Sequence, residues 1–127
     1  MKLVAALFVL AAITAVPASA AGTQGYSFGR SGGNIRPLEV VISATGRVVV
    51  NKERRGVVTQ AQLRGIRQVV ERQRFAALPA RIVCKGVLPD IATRHAVASG
   101  KSVSVRGGCS ARFDRVYAAL AHAAGVA

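Results

Sequence analysis

Acidic side chains are scarce in this chain. Against 18 Lys and Arg there are five carboxylates, Glu39, Glu53, Glu71, Asp90 and Asp114, giving a formal net charge of +13 over 127 residues. No motif places two of them as an acid–base pair, so carboxylate catalysis finds no support. Tryptophan is absent, and the six aromatic residues do not interleave with the basic ones. Stacking on single-stranded nucleic acid is therefore unsupported, and no specific nucleic-acid binding is expected. Histidine occurs only at 95 and 122, cysteine only at 84 and 109, with no CxxC or HxxxH spacing. No metal and no cofactor are expected. A GxSxG nucleophile elbow is also missing. His95, between Arg94 and Ala96, reads as a strand histidine without nominated catalytic partners, and Asp90 as a turn or cap residue rather than a base. The length allows one domain at most and excludes a multidomain enzyme. The chain is expected not to be an enzyme.

No apolar run is long enough to span a bilayer. Leu3 to Val16 is fourteen uncharged, mostly apolar residues, short of the roughly 20 a spanning helix needs. Lys2 precedes it, Pro17 ends it, and Ala18-Ser19-Ala20 places small residues at a cleavage position. That order is a secretory signal cut after Ala20. Residue 21 is Ala rather than Cys, which argues against a lipid anchor. The reading is a signal peptide over 1–20, a flexible N-terminus over 21–25 and a single domain over 26–127. The mature chain is expected to be secreted or periplasmic, without a transmembrane segment, and monomeric. Two cysteines in an exported chain allow one bridge, Cys84–Cys109. A metal site or a catalytic thiol is the alternative, and neither has its spacing here. The bridge would close a loop of about 26 residues and contribute roughly 3–4 kcal/mol by the chain-entropy argument.

The elements follow from periodicity. Tyr26 to Arg30 alternates as a short strand. Leu38, Val40, Ile42 and Ala44 share one strand face, Thr45-Gly46 turns the chain, and Arg47 to Asn51 is a second β-branched run. This predicts a hairpin. Lys52 to Gly56 reads as a charged loop. Thr59 is an N-cap for a helix carrying Leu63, Ile66 and Val70, with Arg67 and Glu71 as an i,i+4 pair and Phe75, Leu78 and Pro79 closing it. Gly65 weakens that helix slightly. Ile82 to Pro89 reads as a connection carrying Cys84. Ile91 to Ser99 and Lys101 to Arg106 flank Gly100 as a second hairpin. Ser110 caps a last helix with Phe113, Val116, Tyr117, Leu120 and Ala124 as its apolar stripe and Gly125 as its end. The fold class is α+β, an antiparallel sheet built from hairpins with two amphipathic helices packed on one face. Cys84 and Cys109 would then staple the ends of the second hairpin.

The basic residues fall into two groups. Lys52, Arg54 and Arg55 make one; Arg64, Arg67, Arg72 and Arg74 make the other, on the first helix. They would draw anionic polymers by charge alone. Ser31-Gly32-Gly33-Asn34 has the composition of a flexible turn, or of a loop whose backbone N–H groups hold an anion.

Arg30-Ser31-Gly32-Gly33 beside a first strand is followed by a hairpin with a Gly turn, then a helix ending Phe75-Ala76-Ala77-Leu78-Pro79. Asp90 opens the second hairpin and an amphipathic helix ends the chain. Over about residues 26–124 this order resembles the emfourin-like family, small α+β proteins whose founding type inhibits thermolysin-like zinc metalloproteases. The chain departs from the family in Asn34-Ile35-Arg36 after the double glycine, in its export signal and in its cysteine pair. The resemblance implies a binding protein that occludes the cleft of an extracellular metalloprotease. Ser31, Gly32, Gly33 and Asn34 would form the inhibitory loop, with Thr45 and Gly46 as a second one. The competing reading is a structural or adhesive envelope protein held to anionic surfaces by its arginines.

Overall fold

The computed structural model describes residues 25–126. The expected signal peptide over 1–20 and most of the expected flexible N-terminus over 21–25 lie outside the described residues. Seven strands form one mixed sheet: β1 (Tyr26–Ser31), β2 (Leu38–Ile42), β3 (Arg47–Val50), β4 (Glu53–Val57), β5 (Arg81–Val83), β6 (Thr93–Ala98) and β7 (Lys101–Arg106). Two helices, α1 (Gln60–Arg72) and α2 (Ala111–Ala124), complete it. The strand order is β4-β3-β2-β1-β6-β7-β5, so β1 is central. Every pairing is antiparallel except β5 with β7.

One face of the sheet carries the core. Phe28 lies opposite Val40 and Ala96 in register, Val40 opposite Val50, and Ala96 opposite Val103. Directly opposed residues share a face, and all of these are buried. Leu63, Ile66 and Val70 of α1 and Phe113, Val116 and Leu120 of α2 join the same core. The α+β class with both helices on one face is the arrangement expected from periodicity.

Capping fixes the helix ends. The Gln62 N–H donates to Thr59 Oγ1 at 3.1 Å and the Thr59 N–H to Gln62 Oε1 at 2.8 Å, a reciprocal capping box. The Phe113 N–H donates to Ser110 Oγ at 3.3 Å. Arg112 of α2 reaches across and donates to the Gln73 and Arg74 carbonyls, each at 2.7 Å. A cation there satisfies orphan carbonyls and opposes the negative end of the α1 dipole. Arg67 and Glu71 do not come within ion-pair distance, contrary to the expected pair. Both are exposed, and an exposed pair gains too little in water to hold two long side chains together.

Two further expectations are corrected. The charged segment 52–56 is not a loop; most of it is β4, paired antiparallel with β3. Asn51 and Lys52 both adopt left-handed backbone, φ 47° and 68°, as a two-residue hairpin turn. The connection from Ile82 begins inside β5, which adds parallel to β7 at the sheet's far edge. Cys84 follows β5 and bonds Cys109, with an S–S distance of 2.06 Å and Cα atoms 5.7 Å apart. The bridge is the expected pair but does not join the two ends of the β6–β7 hairpin: β5 lies on the side of β7 away from β6, so the bond ties the end of β5 to the chain just after β7. Among the described residues no helix is long and apolar enough to cross a membrane.

Candidate functional site

The Ser31–Asn34 loop leaves the end of β1, and all four residues are exposed. Gly32 and Gly33 take left-handed φ of 75° and 61°. A Cβ on Gly32 would meet nothing within 4 Å, whereas one on Gly33 would lie 2.3 Å from the Asp90 carbonyl oxygen. Gly33 therefore packs its backbone against the segment before β6. The close approach that only glycine permits is made within the molecule, and it buttresses the loop from beneath.

Beside the loop lies an open groove of about 580 Å³, lined among others by Arg30, Ile35, Leu88, Ile91 and Arg94. Ile35, Leu88 and Ile91 are among the few large apolar side chains that remain exposed. The wall is held in place by three devices. Ile91 N–H donates to the Leu88 carbonyl at 3.1 Å, Arg106 donates to the same carbonyl at 3.2 Å, and the disulfide anchors Cys84. Arg94 pairs with Asp114 at 2.7 Å, donates to the Gly107 carbonyl at 3.0 Å and stacks over Phe113 and Tyr117. Arg30 makes no ion pair among the described residues. An apolar rim beside an uncompensated guanidinium suits a partner surface that is apolar and acidic.

Thr45 and Gly46 sit elsewhere. Tyr26 pairs with Ile42 while Arg30 pairs with Leu38, so the β2–β3 turn lies at the opposite end of β1 from the Ser31–Asn34 loop. Six strand residues separate the two ends by about 20 Å. Gly46 is buried against the Val58 backbone, and only Thr45 faces solvent. The structure does not bring the two loops together.

The basic residues named from sequence are spread out. Arg54 and Arg55 lie on the edge strand β4 and Lys52 in the turn before it; Arg55 pairs with Glu53 at 3.3 Å. Arg64, Arg67, Arg72 and Arg74 stay exposed on and after α1.

On the sheet face away from the helices, His95 finds a partner that sequence reasoning did not supply. His95 Nε2 lies 2.7 Å from Glu39 Oε2, across β1. Gly29 pairs with both residues in register, and a Cβ on it would come within 2.9 Å of the imidazole. The glycine opens the gap through which the side chains meet. Ser104 is opposite His95 in register but shares no hydrogen bond with it. Two phenols titrate high. Burial pushes Tyr117 above its ordinary value while Arg30 and Arg94 pull it back, and burial likewise raises Tyr26. Among the described residues no group of three His, Cys, Asp or Glu could hold a metal ion. No protein-family model, curated protein or solved structure matches the chain.

Proposed function

We propose that this chain is an exported binding protein that inhibits a thermolysin-type zinc metalloprotease by occluding its cleft. The observation that carries the reading is the Ser31–Asn34 loop: exposed backbone without bulky side chains, braced beneath by the Gly33–Asp90 contact and flanked by the apolar groove. A braced loop loses little conformational entropy on docking. It can approach a recessed metal centre while the groove seats the rim of the partner. The order of motifs resembling the emfourin-like family supports the same reading. The Cys84–Cys109 bridge is compatible with a protein that works outside the cytoplasm.

The test is peptide cleavage by several thermolysin-like enzymes in the presence of the oxidised protein. Wild type is expected to inhibit at micromolar concentration. Gly32→Phe projects a ring from the loop into open space and is expected to abolish inhibition in a folded protein. No inhibition by wild type across these enzymes rejects the reading. The second reading, a structural or adhesive protein on anionic surfaces, then takes its place, favoured by the net charge of +13 and the exposed arginines of β4 and α1.

A further inference from the structure

The face of the sheet that the helices leave uncovered carries a second cluster of basic and hydroxyl groups. Arg81 of β5 is opposite Ser104 of β7, and Arg106 of β7 is opposite Thr93 of β6. Residues 104 and 106 are two apart on one strand and share a face. The register thus gathers all four side chains at one corner of the open face. They line a cavity of about 210 Å³, together with Ile82 and Val83. That volume falls below the roughly 300 Å³ at which drug-sized ligand pockets begin.

No acidic side chain lines this cavity, and neither Arg81 nor Arg106 forms an ion pair among the described residues. Arg106 Nη2 donates at 3.2 Å and 3.4 Å to the Leu88 and Pro89 carbonyls, which anchors its guanidinium while leaving other donors free. The hydroxyls of Thr93 and Ser104 make no hydrogen bond to a described residue, although both residues are half-buried. Two guanidiniums and two free hydroxyls around a small concavity form a donor-rich set with no carboxylate to neutralise it. We propose that this corner is a specific site for a tetrahedral oxyanion, a sulfate or phosphate group. Arginine's planar fork matches two oxygens of such a group, and a hydroxyl donates to a third. The site shares no lining residue with the groove, meets it through the Arg106 bond to the Leu88 carbonyl, and does not depend on protease inhibition.

The experiment is a nuclear magnetic resonance titration of the oxidised protein with sodium sulfate and sodium phosphate at constant ionic strength, with chloride as the control. Saturable shifts of the Thr93 and Ser104 amides are expected with both oxyanions and not with chloride. Arg81→Gln and Arg106→Gln are each expected to weaken binding about tenfold. Arg81 lies on an exposed edge strand, so its variant keeps the test open if the Arg106 variant loosens the neighbouring loop. Arg64→Gln on α1 is expected to change nothing. Glucose 6-sulfate and glucose 6-phosphate assign the natural source by whichever binds more tightly. Shifts that rise linearly without saturation, that chloride reproduces, or that Arg64→Gln diminishes as much as Arg81→Gln overturn the proposal.

Discussion

Gly32 and Gly33 are neighbours in the same left-handed backbone region, yet a methyl group added to each meets different surroundings. At Gly32 it enters open space; at Gly33 it meets the Asp90 carbonyl at 2.3 Å. Gly32→Ala should cost about 1 kcal/mol, from backbone strain alone. Gly33→Val should cost at least 2 kcal/mol or so, because strain and collision add. Denaturant unfolding of the two variants checks the order, and equal losses would discount the contact with Asp90. The practical outcome is that Gly32, not Gly33, is the position at which to probe binding. The phenols give a second prediction. Tyr26 and Tyr117 hold their protons more tightly in the folded protein than in the unfolded chain, chiefly because partial burial disfavours the phenolate. Their contribution to stability is complete below about pH 10, where the unfolded tyrosines are still protonated, and is lost as pH rises through the higher folded values. Denaturant midpoints should fall above about pH 10, and less steeply in Tyr117→Phe.

The turn between β3 and β4 places Lys52 at a φ of 68°, a conformation in which a side chain is strained. Lys52→Gly after Asn51 creates the dipeptide best suited to such a turn. It should raise stability by about 1 kcal/mol, read as a higher melting temperature with the fold unchanged. Reduction of Cys84–Cys109 acts on the neighbouring hairpin. It should cost roughly 3–4 kcal/mol, seen as a lower denaturant midpoint in the presence of reductant. The helices, their caps at Thr59 and Ser110, and both glycine-turn hairpins were legible from sequence because each rests on local spacing. β4 was not, since all five of its residues are exposed and no alternation of apolar and polar residues marks it. β5 is three residues long and pairs with a strand distant in sequence, so periodicity had nothing to register. The site divides in the same way. The loop at Ser31–Asn34 could be named from its glycines, but its brace at Asp90, the groove wall at Leu88 and the Arg81–Arg106 corner depend on which distant segments the sheet sets side by side.

Charge acts over the whole molecule. With 18 basic against five acidic residues, the oxidised protein should be retained on an anionic resin at low salt. Most of that retention should disappear by a few tenths molar salt, because exposed charges are screened beyond about 10 Å at 0.1 M. Retention that persists in molar salt would show that diffuse charge is not what holds it. The same charge meets the sheet at its ends, β4 and β5. β4 presents Arg54 and Arg55 and has a register shift opposite Val48 and Val49, while β5 offers only three residues. A ladder of backbone groups at the end of a sheet is a template on which another chain can add. Here one template is kinked and cationic and the other is too short to guide a neighbour. Two copies meeting edge to edge would find repulsion and mismatched register, which disfavours pairing of one sheet onto another.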